Sequence, residues 1–110
     1  MNSTADLKGR KVILHDMCLR DGMHAKREQI SVEQMVRIGT ALDEAGMPYI
    51  QVTHGAGLGG NSLQHGFAMA SNEEYINAVA SRMKRAKISI LLVPGLGTMR
   101  ELQSAYDAGA

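Results

Sequence analysis

The chain has 110 residues, 45% hydrophobic and 21% charged, and its 12 basic and 11 acidic side chains leave a net charge of +1. So even a balance offers no field to recruit nucleic acid or an anionic membrane, and no apolar run approaches the ~20 residues of a bilayer span. The single cysteine, Cys18, excludes an internal disulfide and fits a reducing compartment, and Met1-Asn2-Ser3-Thr4-Ala5-Asp6 lacks the apolar core of a signal peptide, so a cytoplasmic location is expected.

The first apolar run, Val12-Ile13-Leu14, extends toward Cys18 and predicts a strand that delivers Leu19-Arg20-Asp21-Gly22-Met23-His24 into a loop. A cation, a carboxylate and an imidazole within five residues are the groups that neutralise an oxyanion, hold a metal and move a proton. Cys18 itself is expected to be a small, buried, inert thiol. The next segment opens a helix at Ser31, with Gln34 at capping-box spacing and Met35, Ile38, Leu42 and Ala45 on one face, and Gly46 and Pro48 stop it.

Residues 49–53 predict a second strand, ending at His54 and the glycine-bearing loop that runs to Ala70. Glycines at 55, 57, 59, 60 and 66 allow close backbone approach, to a ligand or a neighbouring subunit. Their spacing matches neither the dinucleotide fingerprint nor the P-loop. A second helix opens at Ser71 with Glu74, carries Ile76, Val79, Met83 and Ala86, and closes among Lys84, Arg85 and Lys87, where cations suit a helix carboxyl end. Residues 88–93 are almost continuously apolar, as in a parallel strand covered on both faces. After Pro94-Gly95-Leu96-Gly97, a third helix opens at Thr98 with Glu101, places Met99, Leu102 and Tyr106 on one face, and ends at Gly109.

Three strand-loop-helix units at a spacing of about forty residues predict an α/β fold with parallel strands and helices outside. In such folds the carboxyl ends of the strands share a face, so the three loops are expected to converge on one pocket. His54 is expected to be a satisfied structural histidine, His65 a loop residue and His15 a strand residue. Methionines on the helices are expected as core filler.

The residues that carry this pattern also carry a resemblance. His15-Asp16-Met17-Cys18-Leu19-Arg20-Asp21-Gly22-Met23-His24-Ala25, Val52-Thr53-His54-Gly55, Gly57-Leu58, Gly66-Phe67 and Pro94-Gly95-Leu96-Gly97-Thr98 resemble the amino-terminal part of the 4-hydroxy-2-oxovalerate aldolases, metal-dependent class II pyruvate aldolases of the DRE-TIM metallolyase group. The sister hydroxymethylglutaryl lyases and isopropylmalate-type synthases fit less well, because the arginine-aspartate-glycine segment here continues into His24-Ala25. The resemblance implies that residues 1–110 form one partial domain, the first three βα units of a TIM (β/α)8 barrel and about a third of it.

The implied activity is a lyase reaction that cleaves 4-hydroxy-2-oxopentanoate, a small 4-hydroxy-2-keto acid, to pyruvate and acetaldehyde in aromatic hydrocarbon catabolism. Residue by residue, Asp21 corresponds to a metal ligand that also contacts substrate, Arg20 to the group that binds substrate and stabilises the pyruvate enolate, and His24 to the catalytic base. A neutral imidazole is a proton acceptor suited to that role. Manganese is the implied metal and an acylating acetaldehyde dehydrogenase the implied partner. The chain departs from the family pattern at Gln51 and Ala56, where carboxylates are usual, and at Cys18, where a hydroxyl is usual. The alternative expectation is a non-catalytic truncated barrel fragment that associates with itself or with another chain, because parallel strands of an open barrel wall have unpaired edges.

Overall fold

The computed structural model describes residues 6–110, so the reading of the first five residues lies outside the described residues. The elements follow one another as β1 (His15–Asp16), α1 (Cys18–Ala25), α2 (Val32–Glu44), β2 (Tyr49–Gln51), α3 (Asn72–Ala80), β3 (Lys87–Ser89) and α4 (Met99–Ala108). The three strands form one parallel sheet in the order β1-β2-β3, with His15 opposite Tyr49, Tyr49 opposite Lys87 and Gln51 opposite Ser89. This is the α/β arrangement expected of a barrel wall, strands side by side in chain order.

Local chemistry starts each long helix where the sequence signals it. Ser31 Oγ accepts the Gln34 N–H at 3.1 Å while Gln34 Oε1 accepts the Ser31 N–H at 2.9 Å, a complete capping box. Ser71 and Thr98 hydroxyls accept the N–H groups of Glu74 and Glu101 in the same way.

The strands are shorter than their apolar runs. Val12, Ile13 and Leu14 are about 60% exposed and outside β1. The reason is positional: among the described residues β1 pairs only with β2, so the residues before it have no second neighbour to pack against. Residues 90–93 likewise leave the ladder after Ser89, although the Leu91 carbonyl still accepts the Leu58 N–H at 2.9 Å.

The core lies between the sheet and the helices and includes Leu19, Met23, Met35, Ile50, Val52, Leu58, Tyr75, Ile76, Val79 and Ile88. Two helix faces are rotated from expectation. α2 buries Met35, Gly39 and Asp43 while Ile38 is exposed, and in α4 Met99 and Tyr106 face solvent while Ala105 is buried. The methionines therefore divide: Met23 and Met35 fill the core, and Met99 does not.

α3 ends at Ala80, before the basic run. The carboxylate of Asp43, at the end of α2, accepts the N–H groups of Lys84 (2.7 Å), Arg85 (3.0 Å) and Ala86 (2.7 Å), and so turns the chain out of helix and into β3. The amides of Lys84 and Ala86, ahead of the remaining contributions, hold the Asp43 carboxyl below its ordinary value.

Candidate functional site

The segment after β1 is a helix, not a loop. Asp16 Oδ1 accepts the Cys18 N–H at 2.9 Å, and the Met17 carbonyl accepts those of Arg20 and Asp21 at 3.0 and 2.7 Å. Leu19 and Met23, one helical turn apart, are fully buried, and burial of each contributes roughly 1.5–3 kcal/mol toward holding α1 on the sheet. Arg20 and His24, also one turn apart, share a neighbouring face. Cys18 is exposed rather than buried, because it opens α1 on the side away from the core. Desolvation around its sulfur, followed by the hydrogen bond and charge of Asp16, pushes the thiol up to about 12, so it is inert although accessible.

Arg20 is held in place. Its Nε donates to Gln51 Oε1 at 2.7 Å and its Nη1 to the Gly55 carbonyl at 3.1 Å, with Asp21 Oδ1 3.6 Å from Nη1. The Arg20 side chain is 14% exposed and that of Asp21 71%. Gln51 therefore gives the guanidinium a neutral acceptor at the end of β2. His24 lies against the same Gly55: a Cβ there would come within 2.9 Å of the His24 ring and 3.0 Å of Glu28 Oε1.

Glu28 has no counterpart among the residues singled out in the sequence. α1 closes with a Schellman pattern, the Glu28 N–H donating to the Met23 carbonyl (2.8 Å) and the Arg27 N–H to that of His24 (3.1 Å). The turn puts Arg27 (φ 53°) and Glu28 (φ 66°) in the left-handed region, which costs roughly 1–3 kcal/mol for each non-glycine residue. It swings the Glu28 carboxylate inward, 3% exposed. Tyr75, itself buried, secures the segment by donating its hydroxyl to the Ile30 carbonyl at 2.6 Å. Burial pushes that hydroxyl above its ordinary pKa.

Glu28 Oε1 accepts the Gly55 N–H at 2.7 Å and lies 2.9 Å from His54 Nδ1, while Oε2 is buried with no hydrogen-bond partner among the described residues. His54 is a satisfied, buried histidine. Its Nε2 is 2.9 Å from the Gly66 carbonyl, which can only accept, so the proton sits on Nε2. The Ala56 N–H reaches Nδ1 at 3.0 Å, and Asn72 Oδ1 accepts the His54 N–H at 2.8 Å. Gly60 makes room for the ring, since a Cβ there would overlap it. Gly55 and Gly60 thus admit the chain's own histidines, and Gly57 and Gly59 the backbone of Leu91 and Leu96.

A hollow of about 230 Å³ is lined by His24, Arg27, Glu28, His65 and Gly66. A larger one, about 540 Å³, lies on the outer side of α2 between Gln34, Arg37, Ile38, Ala41 and Leu42 and shares none of these groups. His65 is an exposed turn residue, and His15, in β1, lies 2.5 Å from Ser89 Oγ across the sheet. Of the three expected loops, two meet at Gly55. The third, around Leu96, packs over Gly59 and gives no hydrogen bond to Arg20, Asp21 or His24 among the described residues.

The donor set does not fit a protein-held divalent metal. Such an ion takes several protein ligands together, and among the described residues no three His, Cys, Asp or Glu side chains gather to hold one. Asp21 stands exposed with Arg20 as its partner. What the arrangement offers is a fixed guanidinium beside an imidazole, suited to binding an oxyanion and accepting a proton. No helix among the described residues is long and apolar enough to cross a membrane.

The HMGL-like family model matches residues 11–110. The chain is 84% identical over 108 residues to 4-hydroxy-2-oxovalerate aldolase 1 of Azoarcus sp., an alignment covering 98% of this chain and 31% of the relative. It is 76% identical over 110 residues to 4-hydroxy-2-oxovalerate aldolase 3 of Azotobacter vinelandii, covering 100% and 31%. To 4-hydroxy-2-oxovalerate aldolase of Pseudomonas putida it is 60% identical over 104 residues, covering 94% and 30%. The chain therefore spans about three tenths of the length of the curated relatives it matches.

Proposed function

The chain belongs to the HMGL-like family, and on that premise we propose that it carries the Arg20–His24 part of a lyase site that cleaves 4-hydroxy-2-oxopentanoate to pyruvate and acetaldehyde. Residues 1–110 then constitute a single partial domain, the first three βα units of the barrel. The observation that carries the reading is the fixing of Arg20 by Gln51 and Gly55 next to His24, on one helix face at the end of a parallel strand.

In the retro-aldol step His24 accepts the C4 hydroxyl proton, the oxygen's electron pair becomes the carbonyl bond of acetaldehyde, and the C3–C4 bond breaks. Its electrons pass to the pyruvate half as an enolate, whose oxygen Arg20 faces with a guanidinium that is already oriented. Protonation at C3 completes pyruvate. Manganese is the metal that the resemblance to the aldolases supports. Asp21 is the ligand that the resemblance implies, and no step is routed through the ion. An acylating acetaldehyde dehydrogenase is the partner proposed to receive the aldehyde, in the cytoplasm.

The test is pyruvate release by the purified chain given 4-hydroxy-2-oxopentanoate and Mn2+. Release above background, falling by about 10²-fold or more in His24→Ala, is the expected outcome. No release, or release indifferent to His24 and Arg20, refutes the reading for this chain. A second reading is favoured by the sheet edges: β1 and β3 each pair on one side only, with Val12, Ile13 and Leu14 exposed beside β1. On that reading the chain works by associating with itself or another chain. A concentration-independent monomer in analytical ultracentrifugation excludes self-association.

A further inference from the structure

The geometry points to Glu28 as a positioning residue: through the backbone of Gly55, its carboxylate sets where Arg20 and His24 stand. This rests on the reading of those two residues as the acting pair. One residue, Gly55, carries the three contacts, on its Cα and the two peptides that meet there. Its N–H donates to Glu28 Oε1 at 2.7 Å, the Gly55 carbonyl accepts from Arg20 Nη1 at 3.1 Å, and its Cα is the surface on which the His24 ring rests. Displacing Gly55 moves the acceptor of the guanidinium and the seat of the imidazole together.

The features around Glu28 are those of a group kept for geometry rather than for packing. An apolar side chain of similar volume would fill the space without leaving Oε2 buried and unpartnered. It would leave the Gly55 N–H, deep in the structure, without an acceptor. The left-handed backbone at Arg27 and Glu28 is what brings the carboxylate under Gly55, and the His54 ring lies 2.9 Å from the same Oε1 on its far side. Glu28 and His24 also line the same hollow, so a ligand entering there meets both.

The experiment is solution NMR of the full 15N,13C-labelled chain, unaltered and as Glu28→Gln, Glu28→Asp and Gly55→Ala. In the unaltered chain a scalar coupling across the hydrogen bond, from Gly55 nitrogen to the Glu28 carboxyl carbon, is expected, and its absence overturns the proposal even if no variant folds. In Glu28→Gln the Gly55 amide should exchange with solvent about tenfold faster, and the Arg20 Nε–H and His24 ring signals should move while the amides of Met35 and Val79 stay in place. Glu28→Asp should recover part of the His24 shift, and Gly55→Ala should move His24 by direct contact. An accelerated Gly55 amide with Arg20 and His24 signals unchanged would show a merely local structural role and overturn it. All these readouts are taken without substrate or metal, so a chain that releases no pyruvate refutes the lyase reading and leaves this one decided separately.

Discussion

Two buried carboxylates, each 3% exposed, are treated in opposite ways by this fold. Asp43 receives three backbone N–H groups, from Lys84, Arg85 and Ala86, and both its oxygens are used. Glu28 receives one, from Gly55, lies against His54, and keeps one oxygen with no partner. Asp43 sits at a helix carboxyl end, where the macrodipole disfavours a negative charge, and is kept there because it closes the turn into β3. Glu28 sits on strained backbone next to a hollow. The first is a fully satisfied network, which rigidifies, and the second a partly satisfied one, which costs stability and is retained where geometry near a site requires it.

The strongest way to break that comparison is Asp43→Ala, which frees three amides at once. Its thermal midpoint should fall on the order of 10 °C, read by circular dichroism. The pH dependence has a definite sign. Because the folded carboxyl lies below its ordinary value of 3.8, its contribution is complete above that value and lost as pH falls further through the folded value. A urea midpoint that declines below that range in the unaltered chain, and declines less in Asp43→Asn, confirms it. Gly60→Ala drives a methyl into the His54 ring and should cost about 1–3 kcal/mol in denaturant unfolding.

Tyr75→Phe removes one hydrogen bond to the Ile30 carbonyl and should cost about 1 kcal/mol by the same measurement. Glu28→Gln sharpens the contrast. Its global stability should change by less than about 1 kcal/mol in either direction, because the substitution removes a buried charge that is only half satisfied. A loss as large as that of Asp43→Ala would mean the two carboxylates do the same work. The smallest effect is expected at Cys18: with its thiol pushed up to about 12, alkylation at pH 8 should be slow compared with a free thiol, despite exposure.

How much could be read in advance depends on range. The helix starts at Ser31, Ser71 and Thr98 were legible because a cap joins residues three apart. The end of α3 was not, because it is set by Asp43, forty residues earlier, while the basic run that suggested a longer helix merely follows the clamp. Arg20 and His24 stood out as chemistry-bearing residues. Their placement on a helix rather than a loop depends on Leu19 and Met23 finding a common core. Glu28 gave no signal, because no motif or periodicity around it marks it and its meaning lies in Gly55 and His54 across the fold.

The sequence by itself determined the α/β class, the starts of α2, α3 and α4 and the family, since these rest on periodicity, short-range caps and motifs written in consecutive residues. Tertiary structure alone decided which helix faces are buried, how far β1 and β3 extend, and that a single glycine, Gly55, joins Arg20, His24 and Glu28. Those outcomes depend on which distant groups are present to accept a hydrogen bond or exclude water, and no local window of the chain contains both partners.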